Sequence, residues 1–110
     1  MNSPYKVFST SGISGQLVNR LMEIQELAYA INLQGRYRVG TTLTIDGHTL
    51  LVSAAQPMDG ASHLPWGIFR NMAAALPSAS SNQQQHGTAL EDLNRITRAL
   101  RHYLDQPSSN

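Results

Sequence analysis

A chain of 110 residues with a formal net charge of +1 and no cysteine suits one small domain, and it excludes disulfides and thiolate metal sites. Eight Lys and Arg nearly balance seven Asp and Glu, which argues against binding polyanions by bulk electrostatics, because domains that do so are distinctly basic. No signal peptide and no apolar run of membrane-spanning length is predicted, so we expect a soluble cytoplasmic protein.

The N-terminal part of the chain predicts a long helix over residues 16–33. Ser14 can cap its N-terminus by accepting a backbone N–H, and Gly35 can adopt the left-handed conformation that ends many helices. Before this helix, residues 1–4 are expected to be a disordered tail. Residues 5–8 are the candidate for a short N-terminal strand.

The helix over residues 16–33 is apolar around about 240° of its wheel, which is much wider than the stripe of an ordinary surface helix. Its main stripe has a four-three-four-three spacing and consists of Leu17, Leu21, Ile24, Ala28 and Ile31. Large exposed apolar patches mark interfaces, and the two-fold dimer is the commonest assembly. We therefore predict a homodimer that forms through these five residues. The alternative is a monomer in which this helix is buried centrally.

A β-hairpin is predicted over residues 37–56, with its turn at Asp46-Gly47, because Asp-Gly favours a two-residue turn with positive φ at both positions. This register pairs Val39 with Ala54 and Leu43 with Leu50. It also collects most apolar residues on one face, which a slip of one residue would scramble. A lone hairpin is marginally stable in water, so we expect the apolar face to pack against helices.

The next segments predict a loop, a short helix and a linker. Residues 57–67 form a loop that is longer than most connections. Ile68, Phe69, Met72, Ala73 and Leu76 share one side of a predicted short helix over residues 68–76. Pro77 ends that helix, and the polar, low-complexity residues 77–87 are expected to be a flexible internal linker.

The last helix is predicted over residues 89–105, because Thr88 and Glu91 have the spacing of a capping box. Residues 106–110 are expected to be a disordered tail. The order of these elements predicts an α+β fold in one small domain, with a two-stranded antiparallel hairpin packed on helices. A third short strand would come from the N-terminus.

No catalytic, metal or nucleotide motif is present, so the sequence predicts neither an enzyme nor a cofactor. Asp59, Ser62 and His63 are close in sequence, but a catalytic triad is defined by its geometry, and a polar turn is the better interpretation. The four histidines are scattered and lack the spacing of metal ligands.

The loop around the only tryptophan is the first candidate binding site. A tryptophan in a constrained loop either anchors a ligand or closes the end of a small core. The residues of this candidate binding loop are Met58, His63, Leu64 and Trp66. A pocket near the loop over residues 57–67 would make the chain a small-ligand binding protein.

Basic residues form a second candidate site. Arg36 and Arg38 flank Tyr37, as in basic–aromatic clusters that bind single strands, although snorkelling of the arginines explains the pattern equally well. The last helix carries Arg95, Arg98, Arg101 and His102 towards its C-terminal end, where they either contact phosphates or complement the helix dipole.

The leading functional hypothesis is a small non-catalytic protein–protein interaction or regulatory module that self-associates or binds an unidentified protein partner. The apolar width of the helix over residues 16–33 supports it. The second hypothesis is a nucleic-acid-associated regulator that uses the basic residues named above. The third is the small-ligand binding protein.

Overall fold

The computed structural model describes residues 3–44, 47–57 and 66–105 of the chain, without the side chain of Tyr5. The elements in these residues are α1 (Pro4–Thr10), α2 (Gly15–Gln34), β1 (Arg38–Leu43), β2 (Thr49–Pro57), β3 (Trp66–Ala75) and α3 (Gln83–Leu104). The three strands form one antiparallel sheet in the order β1-β2-β3. The predicted α+β class is confirmed.

The predicted caps of α2 are both present. The side chain of Ser14 accepts the backbone N–H of Leu17 at 3.3 Å, and Gly35 follows the helix with a φ of 84°. Positive φ strains any residue with a Cβ, so glycine is favoured at this position. The two caps therefore set the limits of α2 within a residue of those expected from sequence.

The hairpin has the predicted register. Val39 pairs with Ala54, Leu43 pairs with Leu50, and Gly47 has a φ of 76°. The turn differs in detail, because the N–H of Gly47 donates to the carbonyl of Thr44 at 2.8 Å, one residue earlier than in a two-residue turn at positions 46 and 47. Residues 45 and 46 lie outside the described part of the chain.

The predicted short helix over residues 68–76 is wrong, because residues 66–75 form β3 and extend the hairpin to a three-stranded sheet. The alanines of this segment favour a helix in isolation, but pairing with β2 overrides that preference. Met72 and Ala74 lie opposite Val52 and Leu50, so they share the face that packs on the helices.

The predicted N-terminal strand is also wrong. Residues 4–10 form the short helix α1, in which Pro4 is at the start and the side chain of Ser3 accepts the N–H of Lys6 at 3.2 Å. Proline fits the first turn of a helix because it has no N–H to lose there, and serine is a favoured cap. This local start signal outweighs the β preference of the short apolar run that follows.

The helix α3 begins six residues earlier than predicted. Its capping box consists of Asn82 and Gln85. The side chain of Asn82 accepts the backbone N–H of Gln85, and the side chain of Gln85 accepts the backbone N–H of Asn82, both at 2.8 Å. Thr88 and Glu91, predicted as the box, lie inside the helix, and residues 83–87 belong to α3 rather than to a linker. An Asn-x-x-Gln box satisfies two free helix N–H groups, and this fixes the earlier start.

One face of the sheet packs against α2 and α3. The largest fully buried side chains come from both helices and the central strand: Leu17, Ile24, Ile31, Leu50, Val52, Leu93, Ile96 and Leu100. The periodicity of the last helix predicts one apolar stripe, and it is confirmed, with Leu90 and Leu104 at its half-buried borders: Leu90, Leu93, Ile96, Leu100, Tyr103 and Leu104. α2 lies beside β1, and α3 lies beside β3. No described helix is long and apolar enough to cross a membrane.

Candidate interaction surfaces

The predicted interface residues of α2 lie in the core of their own chain. Leu17, Ile24, Ala28 and Ile31 are buried against the sheet and α3, and Leu21 is half-buried at the border of that core. The stripe is therefore already covered and is not a free surface for a second copy. The apolar residues of α2 that remain exposed are on other sides of the helix: Met22, Tyr29 and Leu33.

The outward edge of β1, defined here as the β1 edge, is closed at Val39 by a side chain of α2. The carboxamide of Asn32 accepts the N–H of Val39 at 2.7 Å and donates to the carbonyl of the same residue at 3.0 Å. A carboxamide offers one donor and one acceptor in a plane, so it can imitate a neighbouring strand. Further along, the hydroxyl of Thr41 donates to Gln25 at 3.1 Å.

The outward edge of β3, defined here as the β3 edge, has no such cover among the described residues. Ala74 and Met72 pair with β2, and Leu76 donates to the carbonyl of His48 at 2.7 Å. Because hydrogen bonding alternates along an antiparallel strand, the N–H and C=O groups of Asn71, Ala73 and Ala75 point away from β2. No described residue contributes a backbone bond to these groups.

A shallow groove follows part of the β3 edge. Residues 70–73 line it together with Arg95 and Ile96 of α3, and its volume is about 210 Å³. Ala74 is the one buried residue of β3, and the other nine are half-buried or exposed. A strand from another molecule can approach the β3 edge here, because the groove leaves space beside its backbone.

Two of the three arginines of α3 have acidic partners. Arg95 binds Asp92, and Arg101 binds Glu23 of α2. Arg98 is exposed, and the ring of His102 lies 6.1 Å from that of Tyr103. Two of the four predicted nucleic-acid contacts of α3 are therefore paired with carboxylates within this helix pair.

The arginines near the sheet lie among aromatic side chains, on opposite faces of the sheet. Val39 pairs with Ala54 and Ala54 with Arg70, so Arg70 is on the face that packs on the helices, whereas Arg38, the neighbour of Val39 along β1, is on the other face. The guanidinium of Arg38 lies 4.4 Å from the ring centre of Trp66, and Arg70 donates to the hydroxyl of Tyr103 at 3.2 Å. Arg36 donates to the carbonyl of Leu104 at 3.4 Å.

The candidate binding loop can be located only in part. Trp66 is half-buried and is the first residue of β3, whereas Met58, His63 and Leu64 lie outside the described residues. The same holds for Asp59 and Ser62, so the arrangement considered for a triad is not placed. Within the described part of the chain, no group of three or more metal-ligating side chains occurs.

An apolar groove between α1 and α2 was not anticipated from the sequence. It has a volume of about 450 Å³ and is lined by Pro4, Phe8, Val18, Leu21, Met22, Gln25, Leu43 and Leu50. It exists because α1 is a helix, and the sequence signal that would have revealed it is the Ser3-Pro4 helix start. Its size suits a small apolar ligand.

Comparisons with family models, with curated proteins and with solved structures found no match for this chain.

Proposed function

We propose that this chain is a small non-catalytic protein–protein interaction module that self-associates through the β3 edge. The supporting observation is the contrast between the two sheet edges. Asn32 satisfies the outward backbone groups of Val39, whereas those of Asn71, Ala73 and Ala75 have no backbone partner among the described residues. Unpaired strand edges attract other strands, and proteins commonly block edges that must stay free.

The unpaired groups are arranged symmetrically about Ala73. A two-fold axis at this residue pairs Ala73 with Ala73 of the second copy and Asn71 with Ala75 of the second copy. Each such pair exchanges two backbone bonds, so the contact forms about six bonds and joins two sheets into one of six strands. The symmetry favours a second copy, because every free donor then meets a free acceptor.

The side chains of this segment are compatible with that pairing. Asn71, Ala73 and Ala75 are small and uncharged, so no like charges oppose each other across the axis. A register irregularity between Ala54 and Ala55 distorts the other half of β3, near Arg70. Bulges and charges protect strand edges, so the pairing is restricted to residues 71–75.

The experiment measures the mass of the protein by light scattering across a gel-filtration peak, over a range of concentrations. We expect a dimer that dissociates on dilution. In the dimer, amide hydrogen exchange at Asn71, Ala73 and Ala75 should be slowed, because these N–H groups are then bonded. A monomer at all concentrations, with fast exchange at these three amides, would contradict the proposal.

The matched variants are Ala73→Pro and Ala73→Val. Proline removes the outward N–H of residue 73 without touching a bond to β2, and edge strands tolerate it. Valine keeps the N–H and suits a strand. We expect Ala73→Pro to be a folded monomer and Ala73→Val to remain a dimer. Equal dimerisation of both variants would place the contact elsewhere.

A further inference from the structure

The apolar groove between α1 and α2 interrupts the core of the fold. Leu43 pairs with Leu50, so both residues lie on the sheet face that packs on the helices. Leu50 is 2% exposed, whereas Leu43 is 55% exposed. The helices therefore cover this face at β2 and leave it accessible at the end of β1, where Leu43 lines the groove.

Three exposed apolar side chains from three different elements meet at this groove. Phe8 of α1 is 37% exposed, Met22 of α2 is 50% exposed, and Leu43 belongs to β1. Val18 and Leu50 also line the groove and are buried. Exposed apolar groups that converge on one concavity are stabilised when a ligand removes them from water.

The α1 wall of the groove is held in place by backbone contacts. The N–H of Ile13 donates to the carbonyl of Phe8 at 2.8 Å, directly after the helix. Gly12 has a φ of 87°, and a Cβ at this position would overlap the backbone carbonyl of Ser78. This close approach fixes the end of α1 against residues 78 and 79. The groove is therefore preformed, as small-molecule sites usually are.

The lining of the groove favours an uncharged ligand. Of the eight residues that line it, only Gln25 is polar and none is charged. Lys6 of α1 is two residues from both Pro4 and Phe8, so it lies on the opposite side of that helix. A carboxylate or an ammonium group in the groove would lose its water without gaining a counter-ion from these residues, which is costly.

Gln25 supplies the one polar group of the lining, and its side chain is exposed. Its Oε1 accepts the hydroxyl of Thr41 at 3.1 Å. The Nε2 of the same carboxamide has no bond recorded among the described residues, so it can donate to an acceptor oxygen of a ligand. The groove thus combines an apolar interior with one N–H donor at its solvent-exposed rim.

We propose that the apolar groove binds a small neutral molecule with an apolar body and one acceptor oxygen, such as an aryl alkyl ketone. The volume of about 450 Å³ is within the range of small-molecule sites. The site is far from the loop over residues 57–67, because Leu50 is near the start of β2 and Trp66 pairs with Pro57 at its end. It goes beyond the self-association proposed above, which uses the backbone of residues 71–75.

The experiment measures the fluorescence of Nile red, a neutral dye that emits strongly in apolar surroundings, as protein is added. We expect saturable binding and competitive displacement of the dye by hexanophenone. Hexanophenone at about ten times its Kd should also raise the Tm of the protein by about 3 °C or more. The anion para-hexylbenzoate has a similar apolar body and should bind at least about tenfold more weakly than the ketone.

Met22→Asp and Leu33→Asp form a matched pair of variants. Both residues are apolar, exposed and part of α2, but only Met22 lines the groove. We expect Met22→Asp to weaken the binding of hexanophenone about tenfold or more, because a carboxylate then forms part of the apolar wall. Leu33→Asp should stay within about twofold of the wild type. Thermal melting of each variant without ligand verifies that it is folded.

The role of Gln25 is tested with hexylbenzene, which has the skeleton of hexanophenone without the carbonyl oxygen. Gln25→Leu should weaken the binding of hexanophenone about threefold to tenfold, because it removes one hydrogen bond. The same variant should not weaken the binding of hexylbenzene, which has no acceptor to lose. Equal weakening of both ligands would show that Gln25 does not bind the ketone oxygen.

Three results would overturn the proposal as a whole. These are absence of saturable Nile red binding, equal affinity for hexanophenone and para-hexylbenzoate, or equal weakening by Met22→Asp and Leu33→Asp. Dissociation of a dimer by Met22→Asp would also contradict it, because a second copy would then cover the groove. The Ala73→Pro monomer should bind hexanophenone with unchanged affinity, so failure of self-association and failure of ligand binding are distinguishable.

Discussion

The β1 edge and the β3 edge belong to the same sheet, yet their outward backbone groups differ in their hydrogen-bond partners. At the β1 edge, Asn32 of α2 binds both the N–H and the carbonyl of Val39. At the β3 edge, the neighbouring helix contributes Arg95 and Ile96 to the wall of a groove, and the backbone of residues 71–75 gains no recorded bond from it. The helix beside β1 blocks the outward backbone groups of Val39 because it carries a carboxamide at that position.

The comparison also separates the polar backbone groups that are bonded within the chain from those that a partner could bind. The bonds of Asn32 connect α2 to the sheet and keep the outward backbone groups of Val39 bonded within the chain. The open groups of the β3 edge contribute nothing to the fold of the single chain and are the groups that a second strand can use. The following substitutions test this contrast, beginning with the largest expected effect.

Ala74→Pro should be the most damaging change. Ala74 is fully buried, and its N–H points towards Leu50 of β2, so proline removes a sheet bond and adds volume to the core. We expect a loss of about 3 kcal/mol or more in the free energy of unfolding, measured by urea denaturation. Ala73→Pro, one residue earlier, should lose less than about 1 kcal/mol, because edge strands tolerate proline at outward N–H groups. Equal losses would mean that the alternation assigned to β3 is incorrect.

Gly47→Val should destabilise the hairpin that presents the β1 edge. The φ of Gly47 is 76°, and a Cβ there would meet no atom within 4 Å, so the penalty is conformational rather than steric. We expect a loss of about 1–3 kcal/mol, read from thermal melting. The control is Gly40→Val in β1, which also has open space and has no positive φ. A wild-type melting curve for Gly47→Val would refute the assigned turn.

Asn32→Ala should open the β1 edge. Val39 is buried, so its N–H and carbonyl lose partners that water replaces only incompletely. We expect a loss of about 1–2 kcal/mol and faster amide exchange at Val39. Asn19→Ala, an exposed change on the same helix, should stay within about 0.5 kcal/mol of the wild type. Unchanged exchange at Val39 would show that Asn32 does not close this edge.

Gln25→Ala should have the smallest effect. Its bond with Thr41 is exposed and joins two side chains, so water can replace either partner. We expect a change of less than about 0.5 kcal/mol in urea denaturation. A loss as large as that of Asn32→Ala would mean that side-chain contacts along β1 matter as much as the backbone cap.

The elements that were predicted from sequence are those with local signals at both ends. Ser14 and Gly35 define α2, and Gly47 with the alternating residues around it defines the hairpin register. Two helix starts were mispredicted although the sequence carries their local signals, which are Ser3-Pro4 for α1 and the Asn82-Gln85 box for α3. The strand β3 is different, because its alanine-rich sequence suits a helix, and only its pairing with β2 makes it a strand.

The candidate sites divide in the same way. Arg36 and Arg38 beside Tyr37 were recognised from sequence, but Phe69 and Tyr103 contact Tyr37, and Arg70 contacts Tyr103, only because β3 and the end of α3 meet β1 in space. The five residues predicted as an interface on α2 form an apolar stripe, and in the structure they lie in or beside the core of the chain. Their burial within the chain depends on α3 and the sheet, which no single helix pattern can reveal.

The sequence by itself therefore determined the limits of α2, the hairpin register and the apolar face of α3, because caps, glycines and periodicity act over a few residues. Only the tertiary structure decided that residues 66–75 form a strand, that Asn32 reaches Val39 and that the outward backbone groups of residues 71, 73 and 75 have no partner among the described residues. These features depend on backbone groups distant in sequence, and a backbone N–H or carbonyl has the same chemistry in every residue except proline. Its hydrogen-bond partner is selected by its position in the fold, so the sequence of side chains does not identify that partner.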